Sequence, residues 1–472
     1  MNTPFINRKK EIEWLETNYQ AAYKEGQLLI IYGKRRVGKT ELVKHFSQTK
    51  PCIYFVAEKG TAQDQLQTAK NIFADGLHDD LMKNLTFPNW RELFRYIGTK
   101  LQGNTEPLTL VFDEFPYLVE SDNAVSSYFQ VGWDEYLKNN KVVVILMGSS
   151  ISMMYKHTLS QSAPLYGRRT GQWLLEPFSY KETKEFYPEA PFMNTFSLYA
   201  ITGGIPAYAK VFDGNKTLEE NIRQYILPEG SFLSVEPELL LSEEFTDPRS
   251  YLSILKAIGL GRTKFSEIVT ATGLPTTAVP GYLQTLISLR LIKKEIPVTE
   301  KVPEKSKRGS YSLADSFLRF YFSFIYPNNS LIKGGSVDAL FQQYGEVLQR
   351  LVAKSYEETT HEFILQAYQS GSLPHFEQMG RWWDNKDTEI DLVGLNEKED
   401  SILFVETKWN TKPIGTEVLN ALKGKAQKLQ WGSQNRKDYY ALVAKSGFTD
   451  QLIEQAKNEN ILLIQEDKIL KI

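Results

Sequence analysis

The feature that most constrains this chain is a glycine-rich octapeptide between a strand pattern and a helix pattern. Residues 27–32 read QLLIIY, a short apolar run bounded by glycines, which favours a buried parallel strand. The next eight residues read GKRRVGKT, and the ELVKHF that follows has helical spacing. A G-x-x-x-x-G-K-T sequence in this context predicts a loop whose backbone N–H groups surround phosphate oxygens. An α/β nucleotide-binding fold is therefore predicted.

The polar residues of this loop each have a predicted role. Lys39 is expected to reach the β- and γ-phosphates of ATP, and Thr40 is expected to bind Mg²⁺. The positions predicted to bind the nucleotide are Gly33, Arg36, Val37, Gly38, Lys39, Thr40 and Glu41. The alternative is an ordinary glycine turn that carries a lysine, and the flanking strand and helix patterns argue against it.

A second strand pattern ends in two carboxylates. Residues 107–114 read PLTLVFDE. Asp113 is predicted to hold Mg²⁺ through water, and Glu114 is predicted to polarise the water that attacks the γ-phosphate. The alternative is a strand whose acidic end is only solvated.

Two further groups are candidates for contact with the γ-phosphate. The apolar strand pattern at residues 141–147 ends in Gly-Ser-Ser, where Ser149 is predicted to sense the γ-phosphate. Ser150 stays open to the same role or to capping the next helix. Arg168 or Arg169, in a glycine-bounded turn, would stabilise charge on the γ-phosphate within its own chain or across a subunit boundary. The alternative is a pair of solvated basic residues.

More strand and helix patterns alternate through this third of the chain. A strand is predicted at residues 53–58, and helices are predicted at residues 62–77, 89–101 and 124–139. This alternation predicts a parallel sheet with helices on both faces.

Together these motifs resemble the archaeal-type ATPase family, which belongs to the STAND class of P-loop ATPases and is related to AAA+ proteins. Residues 5–11, FINRKKE, are similar to the family's F-x-x-R-x-x-E segment near the adenine. Residues 203–206, GGIP, are similar to the G-x-P motif of the class, which implies that Pro206 lies in a helical lid near the base. The resemblance implies a switch in which ATP holds a closed, often homo-oligomeric state and hydrolysis resets it.

The middle of the chain is predicted to hold a lid and a winged helix. Lid helices are expected at residues 179–187 and 193–212. Residues 213–249 carry nine Asp or Glu against three Lys or Arg, which is typical of a solvated face or linker.

The winged helix is predicted from three helix patterns followed by two strand patterns. The helices are expected at 251–259, 264–272 and 276–289, with Thr276 or Thr277 capping the third, and the strands at 290–295 and 310–313. Residues 290–308 hold seven Lys or Arg against three Glu, a plausible phosphate-facing wing. The alternative is a protein–protein hinge.

The last third carries a second candidate active site. Residues 402–409 read ILFVETKW, and strand alternation puts Glu406 and Lys408 on the same face. Asp391, on the preceding strand pattern, is brought to them by a hairpin. Two carboxylates that hold Mg²⁺ beside a lysine are the chemistry of metal-dependent phosphodiester hydrolysis. The alternative is a salt bridge between Glu406 and Lys408 at a strand edge.

This arrangement resembles the PD-(D/E)XK nuclease fold, with Asp391 and the Glu406-Thr407-Lys408 triplet in its D…E-x-K core. The resemblance implies further polar residues on the flanking helices. It places Glu346 on the helix at 337–359, and Lys425 and Gln427 on the helix at 416–430. The whole third resembles the poorly characterised nuclease-like domain that often follows archaeal-type ATPases, which implies DNA as a partner.

Composition excludes several other classes of protein. One cysteine and five scattered histidines exclude an internal disulfide, a zinc ribbon and a histidine cage. The absence of any apolar run of about 18 residues excludes a membrane span, and the first residues contain no apolar signal core. We therefore expect a cytoplasmic protein with no membrane partner. The net charge of −2 averages the acidic and basic segments and is not an argument against nucleic acid.

The predicted architecture is α/β throughout. It comprises a P-loop ATPase core (1–178), a helical lid with an acidic linker (179–249), a winged helix (250–326) and a restriction-endonuclease-like domain (327–472). The leading hypothesis is an ATP-hydrolysing switch that controls a DNA-binding, Mg²⁺-dependent nuclease. The alternatives are a non-cleaving STAND-type regulator that acts through DNA or protein, and a purely protein-assembling scaffold.

Overall fold

The computed structural model describes residues 5–306, 308–384, 386 and 388–470, apart from the side chain of Glu304. The chain forms two compact units. The first unit contains the chain up to Pro188 together with Gly204–Phe212 and Glu238–Thr246. The second unit contains Glu189–Gly203, Asp213–Pro237 and the chain from Asp247 onward.

The first unit is built on a five-stranded parallel sheet, which confirms the predicted α/β fold of this region. Its strands are β1 (Gln27–Tyr32), β2 (Cys52–Val56), β3 (Leu108–Asp113), β4 (Val142–Gly148) and β5 (Gly171–Leu174). Their order is β2-β3-β4-β1-β5. The central strands β3 and β4 are buried along their whole length because apolar helices cover both faces of the sheet. All carboxyl ends lie at the same edge, so the loops after β1, β3 and β4 meet there.

The helices predicted at 62–77, 89–101 and 124–139 are present, with bounds close to those predicted, and further helices lie around this sheet. Together they are α1 (Lys9–Ala21), α2 (Lys39–Ser47), α3 (Ala62–Gly76), α4 (Asp80–Asn84), α5 (Trp90–Lys100), α6 (Phe115–Ser121), α7 (Val125–Gly132), α8 (Ile151–Met154) and α9 (Tyr180–Thr183). The predicted helix at 124–139 is α7 continued by a π-helical turn, Trp133–Leu137. A second π-helical turn, Tyr155–Leu159, extends α8, and a 3₁₀ turn, Lys184–Phe186, extends α9.

Residues 189–249, which are divided between the two units, are more helical than predicted. It contains α10 (Phe192–Thr202), α11 (Pro206–Ala209), α12 (Leu218–Tyr225) and α13 (Phe232–Glu244). The predicted lid helix at 193–212 is interrupted at Gly204, where a Cβ atom would lie 1.9 Å from the carbonyl oxygen of Phe178. The predicted acidic linker is instead largely the helices α12 and α13, because capping and apolar spacing outweigh net charge in this stretch.

The second unit continues with three helices and a strand pair. The elements are α14 (Arg249–Gly259), α15 (Phe265–Thr272), α16 (Val279–Ser288), β6 (Ile292–Glu295), β7 (Ser310–Leu313), α17 (Ser316–Phe320) and α18 (Asn329–Lys333). A 3₁₀ turn, Pro303–Lys305, lies between the antiparallel strands β6 and β7; a π-helical turn, Tyr321–Ile325, and a 3₁₀ turn, Tyr326–Asn328, follow α17. The predicted cap by Thr276 or Thr277 is wrong, because a turn closed by Ala278 N–H and the Pro275 carbonyl precedes α16.

The rest of the second unit is a mixed six-stranded sheet. Its elements are α19 (Val337–Gln369), β8 (Gln378–Trp383), β9 (Glu389–Asn396), β10 (Ser401–Lys408), α20 (Thr416–Ala426), β11 (Lys437–Ala444), α21 (Asp450–Glu459), β12 (Leu462–Gln465) and β13 (Lys468–Ile469). The order is β13-β12-β11-β10-β9-β8, with β10 antiparallel to β9 and parallel to β11. The apolar faces of α20 and α21 pack on the sheet. Among the described residues, no helix combines the length and apolar character that crossing a bilayer requires.

Candidate functional sites

The loop after β1 is shaped by backbone conformations that favour glycine. Gly38 has a φ of 94°, and a Cβ atom on Gly33 would lie 2.3 Å from the carbonyl oxygen of Leu175. Lys39 begins α2, and its ammonium donates to the carbonyl oxygens of Gly33 at 2.9 Å and Lys34 at 3.0 Å. Burial lowers the pKa of Lys39, although nearby carboxylates oppose this shift. The loop therefore holds a buried ammonium group at the start of a helix.

Thr40 and Asp113 are in direct contact at the carboxyl edge of the sheet. The hydroxyl of Thr40 donates to Oδ2 of Asp113 at 2.8 Å. The hydroxyl of Tyr54, at the middle of β2, donates to the same oxygen at 2.6 Å. Burial, followed by the charge of Asp113, raises the pKa of Tyr54, so its hydroxyl stays protonated and acts as the donor. The sequence pattern did not single out Tyr54, because a tyrosine in an apolar strand is usually a core residue.

Glu114 and Ser149 are also in contact. Glu114 has a left-handed backbone, with a φ of 53°, and this turn lets two consecutive acids both reach the same edge. Its carboxylate accepts from the backbone N–H of Ser149 at 3.2 Å and from the Ser149 hydroxyl at 3.0 Å. Ser150, in contrast, is the N-cap of α8 and accepts from the N–H of Met153. The two serines therefore have different surroundings.

Two acids at the end of α13 also reach this part of the first unit. Glu243 forms an ion pair with Arg35 of the glycine-rich loop. The carboxylate of Glu244 accepts from the N–H of Ile151 at 3.0 Å and from the Ser152 hydroxyl at 2.9 Å. A carboxylate at a helix N-terminus is favourable because it satisfies free N–H groups. Neither contact was predicted, because acidic residues in a charged stretch of sequence are expected to be exposed to solvent.

A cavity of about 420 Å³ lies beside the loop on the other side. Its lining includes Val37, Glu41 and Pro206, all predicted to bind the nucleotide. Arg8 donates to the carbonyl oxygen of Val37 at 2.9 Å and lies 4.0 Å from the ring centroid of Phe178. Burial lowers the pKa of Arg8. The segment at 5–11 and Pro206 thus line one cavity, and their predicted proximity to the adenine stays a prediction.

Arg168 does not lie near this loop in its own chain. It precedes β5, and Thr170 donates its backbone N–H to Leu28 at the start of β1, so this turn is at the amino edge of the sheet. The guanidinium of Arg168 pairs with Asp134 at 3.1 Å. Arg169 lies over the ring of Tyr166. The predicted role of Arg168 within its own chain is therefore not supported, and a role across a subunit boundary stays a prediction.

The second candidate site, at the end of β10, centres on Glu406. The side chain of Glu406 is 7% exposed, and its carboxylate accepts from Lys425 at 2.8 and 3.0 Å and from Lys408 at 2.6 Å. The hydrogen bond and the charge of Glu406, helped by Asp391, raise the pKa of Lys408 although burial acts in the opposite direction. Lys408 is therefore an ammonium group at neutral pH.

Asp391 lies next to this ion-paired carboxylate. Its Oδ2 accepts from the backbone N–H of Thr407 at 2.8 Å. Burial, followed by the charges of Glu406 and Glu357, raises the pKa of Asp391 to about 7. The structure thus brings together Asp391, Glu406 and Lys408, as the strand pattern predicted.

The acid on the long helix α19 is Glu357 and not Glu346. Glu346 is exposed and precedes Glu357 by eleven residues, or roughly 16 Å of helix rise. Both acids lie within the helix predicted at 337–359, but it is the charge of Glu357 that acts on Asp391, so a role for Glu346 at this site is not supported. Gln427 is exposed at the end of α20. Among the described residues, no group of three or more His, Cys, Asp or Glu side chains is arranged to hold a metal ion.

Comparison with known proteins identifies an ATPase domain in the first part of the chain. Residues 5–211 match the family described as "ATPase domain predominantly from Archaea", and residues 321–422 match "Archaea bacterial proteins of unknown function". The protein is a P-loop ATPase. It is 32% identical over 463 residues to the uncharacterized protein MJECL04 of Methanocaldococcus jannaschii, across 97% of this chain and 98% of that relative. The chain belongs to the family of that protein, in which an archaeal-type ATPase domain is joined to a C-terminal domain of unknown function.

Two solved structures are also similar. The Walker-type ATPase of Pyrococcus abyssi is 23% identical and covers 67% of this chain and 96% of its own, with a TM-score of 0.49. The ORC2 protein of Aeropyrum pernix is 14% identical and covers 73% of this chain and 98% of its own, with a TM-score of 0.47.

Proposed function

We propose that this ATPase is a switch of the STAND type whose nucleotide state controls a Mg²⁺-dependent nuclease site in its C-terminal half, with DNA as the substrate. The observation that carries the proposal is the cluster at the end of β10. There Glu406 lies between Lys408 and Lys425, and Asp391 lies beside it. Buried carboxylates that share half-buried ammonium groups at one strand end are costly to maintain, and groups with shifted pKa values cluster at functional sites.

The donor set of this cluster fits a hard divalent cation. Asp391 and Glu406 present oxygen ligands. Burial, followed by the charges of Glu406 and Glu357, raises the pKa of Asp391, and a cation between the two carboxylates would offset both effects. Bound Mg²⁺ would supply Lewis-acid activation of water and phosphate. Because its pKa is raised, Lys408 stays protonated; its positive charge would stabilise the negative phosphate, and it would not act as a general base.

The first unit would supply the switch. Lys39 would contact the β- and γ-phosphates, and Thr40 and Asp113, already in contact through oxygen atoms, form a donor set that fits Mg²⁺. Glu114 would accept the proton of the attacking water. Ser149, which is hydrogen-bonded to Glu114, would contact the γ-phosphate and so couple its presence to the position of Glu114. Arg168 would act only on the nucleotide of a second copy in a homo-oligomer.

A winged helix would hold the DNA. The three helices α14–α16 followed by the antiparallel pair β6–β7 have its element order, and residues 290–308 have a net charge of +4 from seven Lys or Arg and three Glu. A basic wing of this kind neutralises phosphates and gives salt-dependent affinity.

The test is a cleavage assay on single- and double-stranded DNA and RNA with Mg²⁺ or Mn²⁺, with and without ATP. The variant Glu406→Gln keeps the shape of the side chain and removes its charge, and we expect it to lose cleavage while still hydrolysing ATP. The matched control is Glu454→Gln, an exposed acid on α21. If the wild type cuts none of these substrates, the nuclease proposal fails.

A second candidate is a regulatory ATPase that binds DNA or a protein without cutting. It is favoured by the same ion pairs, because a carboxylate held by two lysines is already neutralised. In that case Lys39→Ala would alter binding of the DNA or the protein partner, and Lys408→Ala would not. Binding that requires intact Lys408 together with metal-dependent cleavage excludes this candidate.

A further inference from the structure

A groove in the second unit, separate from the Glu406 cluster, joins basic and aromatic side chains. It encloses about 1060 Å³ and lies along the strands β6 and β7, the start of α15 and the outer strand β8. Its lining, as far as the structure describes it, includes four basic and two acidic side chains. The groove is therefore more positive than the chain as a whole, which carries a net charge of −2.

The basic side chains of the groove are Lys264, Lys294, Arg308 and Arg381. Lys264 is exposed, and Lys294 is half-buried with its stem against Gly309. Both ammonium groups are on flexible stems that can follow a phosphate backbone. The two arginines have structural partners as well, because Arg308 pairs with Glu300 and Arg381 pairs with Glu295. The two lysines are therefore the main candidates for phosphate contacts.

Three aromatic rings share the same groove. They are Phe265, Tyr311 and Trp383, and all three are half-buried, so part of each ring faces the open space. Rings beside cations in a concave groove are what binds single-stranded nucleic acid, because unpaired bases offer free faces for stacking. In a duplex those faces are stacked on one another and are not available to protein rings.

The walls of the groove are tied together. The backbone N–H of Val298 donates to the carbonyl oxygen of Arg381 at 3.0 Å, and the Arg381 guanidinium pairs with Glu295 of β6 at 3.2 Å. Arg308 donates to the carbonyl oxygen of Trp383. The segment between β6 and β7 is thus bonded to β8, and the groove exists before any ligand binds, which lowers the entropy lost on binding.

The groove leads toward the carboxylate cluster. Glu389 lines it and is paired with Trp383 across the β8–β9 ladder. Asp391 lies two residues further along β9, about 7 Å of strand rise away. A strand that followed the groove past Glu389 would therefore approach Asp391.

We propose that this groove binds a single strand of DNA or RNA and feeds it to the Asp391–Glu406 site. The proposal rests on the proposed function for the direction of feeding, but the binding itself needs no cleavage. The cations would contact successive phosphates, and Trp383 and Tyr311 would stack on bases.

The test is fluorescence anisotropy of the full chain in EDTA, so that cleavage cannot contribute. The probes are a labelled single strand of about 12 nucleotides, as DNA and as RNA, and a DNA hairpin duplex, since a single-strand site spans roughly 4–16 nucleotides. We expect the single strand to bind at least about tenfold more tightly than the duplex. With up to four phosphate contacts, log K should fall with log salt at a slope of about −2 to −3.

Variants locate the binding in the groove. Lys264→Gln and Lys294→Gln should each weaken single-strand binding about three- to tenfold and reduce the salt slope by about 0.7. Lys457→Gln, an exposed lysine on α21, is the matched control. Trp383→Phe should keep most of the affinity and Trp383→Leu should lose about tenfold, which separates stacking from misfolding.

Three results would overturn the proposal: no single-strand binding at low salt, a duplex bound as tightly as the single strand, or unchanged affinity in both lysine variants. If single-strand binding is lost in the lysine variants but no substrate is cut, the groove proposal holds and the nuclease function is rejected. The DNA and RNA probes decide which strand the groove prefers.

Discussion

Tyr54 and Thr40 donate to the same oxygen of Asp113, at 2.6 and 2.8 Å. The other oxygen of Asp113 accepts from the backbone N–H of Glu114 at 3.0 Å. The carboxylate is therefore held in one orientation from both sides. Tyr54 does this from β2, a strand that contributes none of the sequence motifs.

Tyr54→Phe should lower the ATPase kcat about tenfold, because a hydrogen bond to a charged group is worth about 1.5–3 kcal/mol and here it orients Asp113. We expect the dependence on Mg²⁺ to shift to higher concentration. Steady-state ATPase rates across a Mg²⁺ series measure both effects, and Tyr23→Phe, an exposed ring on the surface, is the control. An unchanged rate and an unchanged Mg²⁺ dependence would show that Tyr54 is only a packing residue.

Glu114→Gln should lower ATP hydrolysis by about 100-fold or more, since general-base catalysis contributes about 10²–10⁴-fold. Nucleotide affinity should stay within about threefold of wild type, because the uncharged amide still accepts from Ser149. Lys39→Ala should instead weaken ATP binding itself, because it removes the buried ammonium. A fluorescent ATP analogue and a phosphate-release assay separate the two. Wild-type turnover in Glu114→Gln would remove Glu114 from the mechanism.

Arg8→Lys should weaken ATP binding about five- to tenfold, because a lysine cannot keep both the bond to Val37 and the planar stack on Phe178. Inorganic tripolyphosphate should bind this variant as it binds wild type, since Arg8 lines the cavity where we propose that the base binds. Competition assays with both ligands test this. Lys10→Gln, an exposed neighbour, is the control. An equal loss for both ligands would place Arg8 at the phosphates.

Glu358→Gln should destabilise the second unit by about 3 kcal/mol at neutral pH, because it removes the carboxylate that pairs with the largely buried Arg319 and one of the two carboxylates that pair with Lys293. Glu358 accepts from Arg319 at 2.8 Å and from Lys293 at 3.0 Å. Burial alone would raise the pKa of Glu358, but the charges and hydrogen bonds of Arg319 and Lys293 hold it at about 2.

Since the pKa of Glu358 is lower in the folded state than in the unfolded chain, its stabilisation is complete above about pH 5 and is lost as pH falls toward 2. The free energy of unfolding, measured with urea, should therefore fall more steeply between about pH 5 and 3 for wild type than for Glu358→Gln. Glu454→Gln should follow the wild-type curve. Parallel curves for Glu358→Gln and wild type would contradict the role of this carboxylate.

Some features were predictable because consecutive residues determine each of them: the parallel sheet, its strand bounds and the glycine-rich loop. Apolar runs define β1, β3 and β4, and the spacing of Gly33, Gly38 and Lys39 defines the loop. Strand alternation likewise placed Glu406 and Lys408 on one face.

The contacts that the sequence did not reveal join distant segments. Glu244 reaches Ile151 across 93 residues, and nothing local distinguishes it from a solvated acid. Glu357 and the expected Glu346 lie on the same predicted helix, and only the packing of α19 in the folded protein decides which of them is near Asp391. Arg168 is at the amino edge because β5 pairs with β1, a register that no local motif encodes.

The segment that ties β6 to β8 also has a consequence for how copies of this chain meet. β8 is the outer strand of its sheet, and an outer strand normally offers unpaired carbonyl and N–H groups to any passing chain. Here Val298 and Arg308 take up the carbonyl groups of Arg381 and Trp383. At the opposite border, β13 has only two residues. Strand addition to this sheet, and the aggregation that follows from it, is thereby hindered at both of its borders.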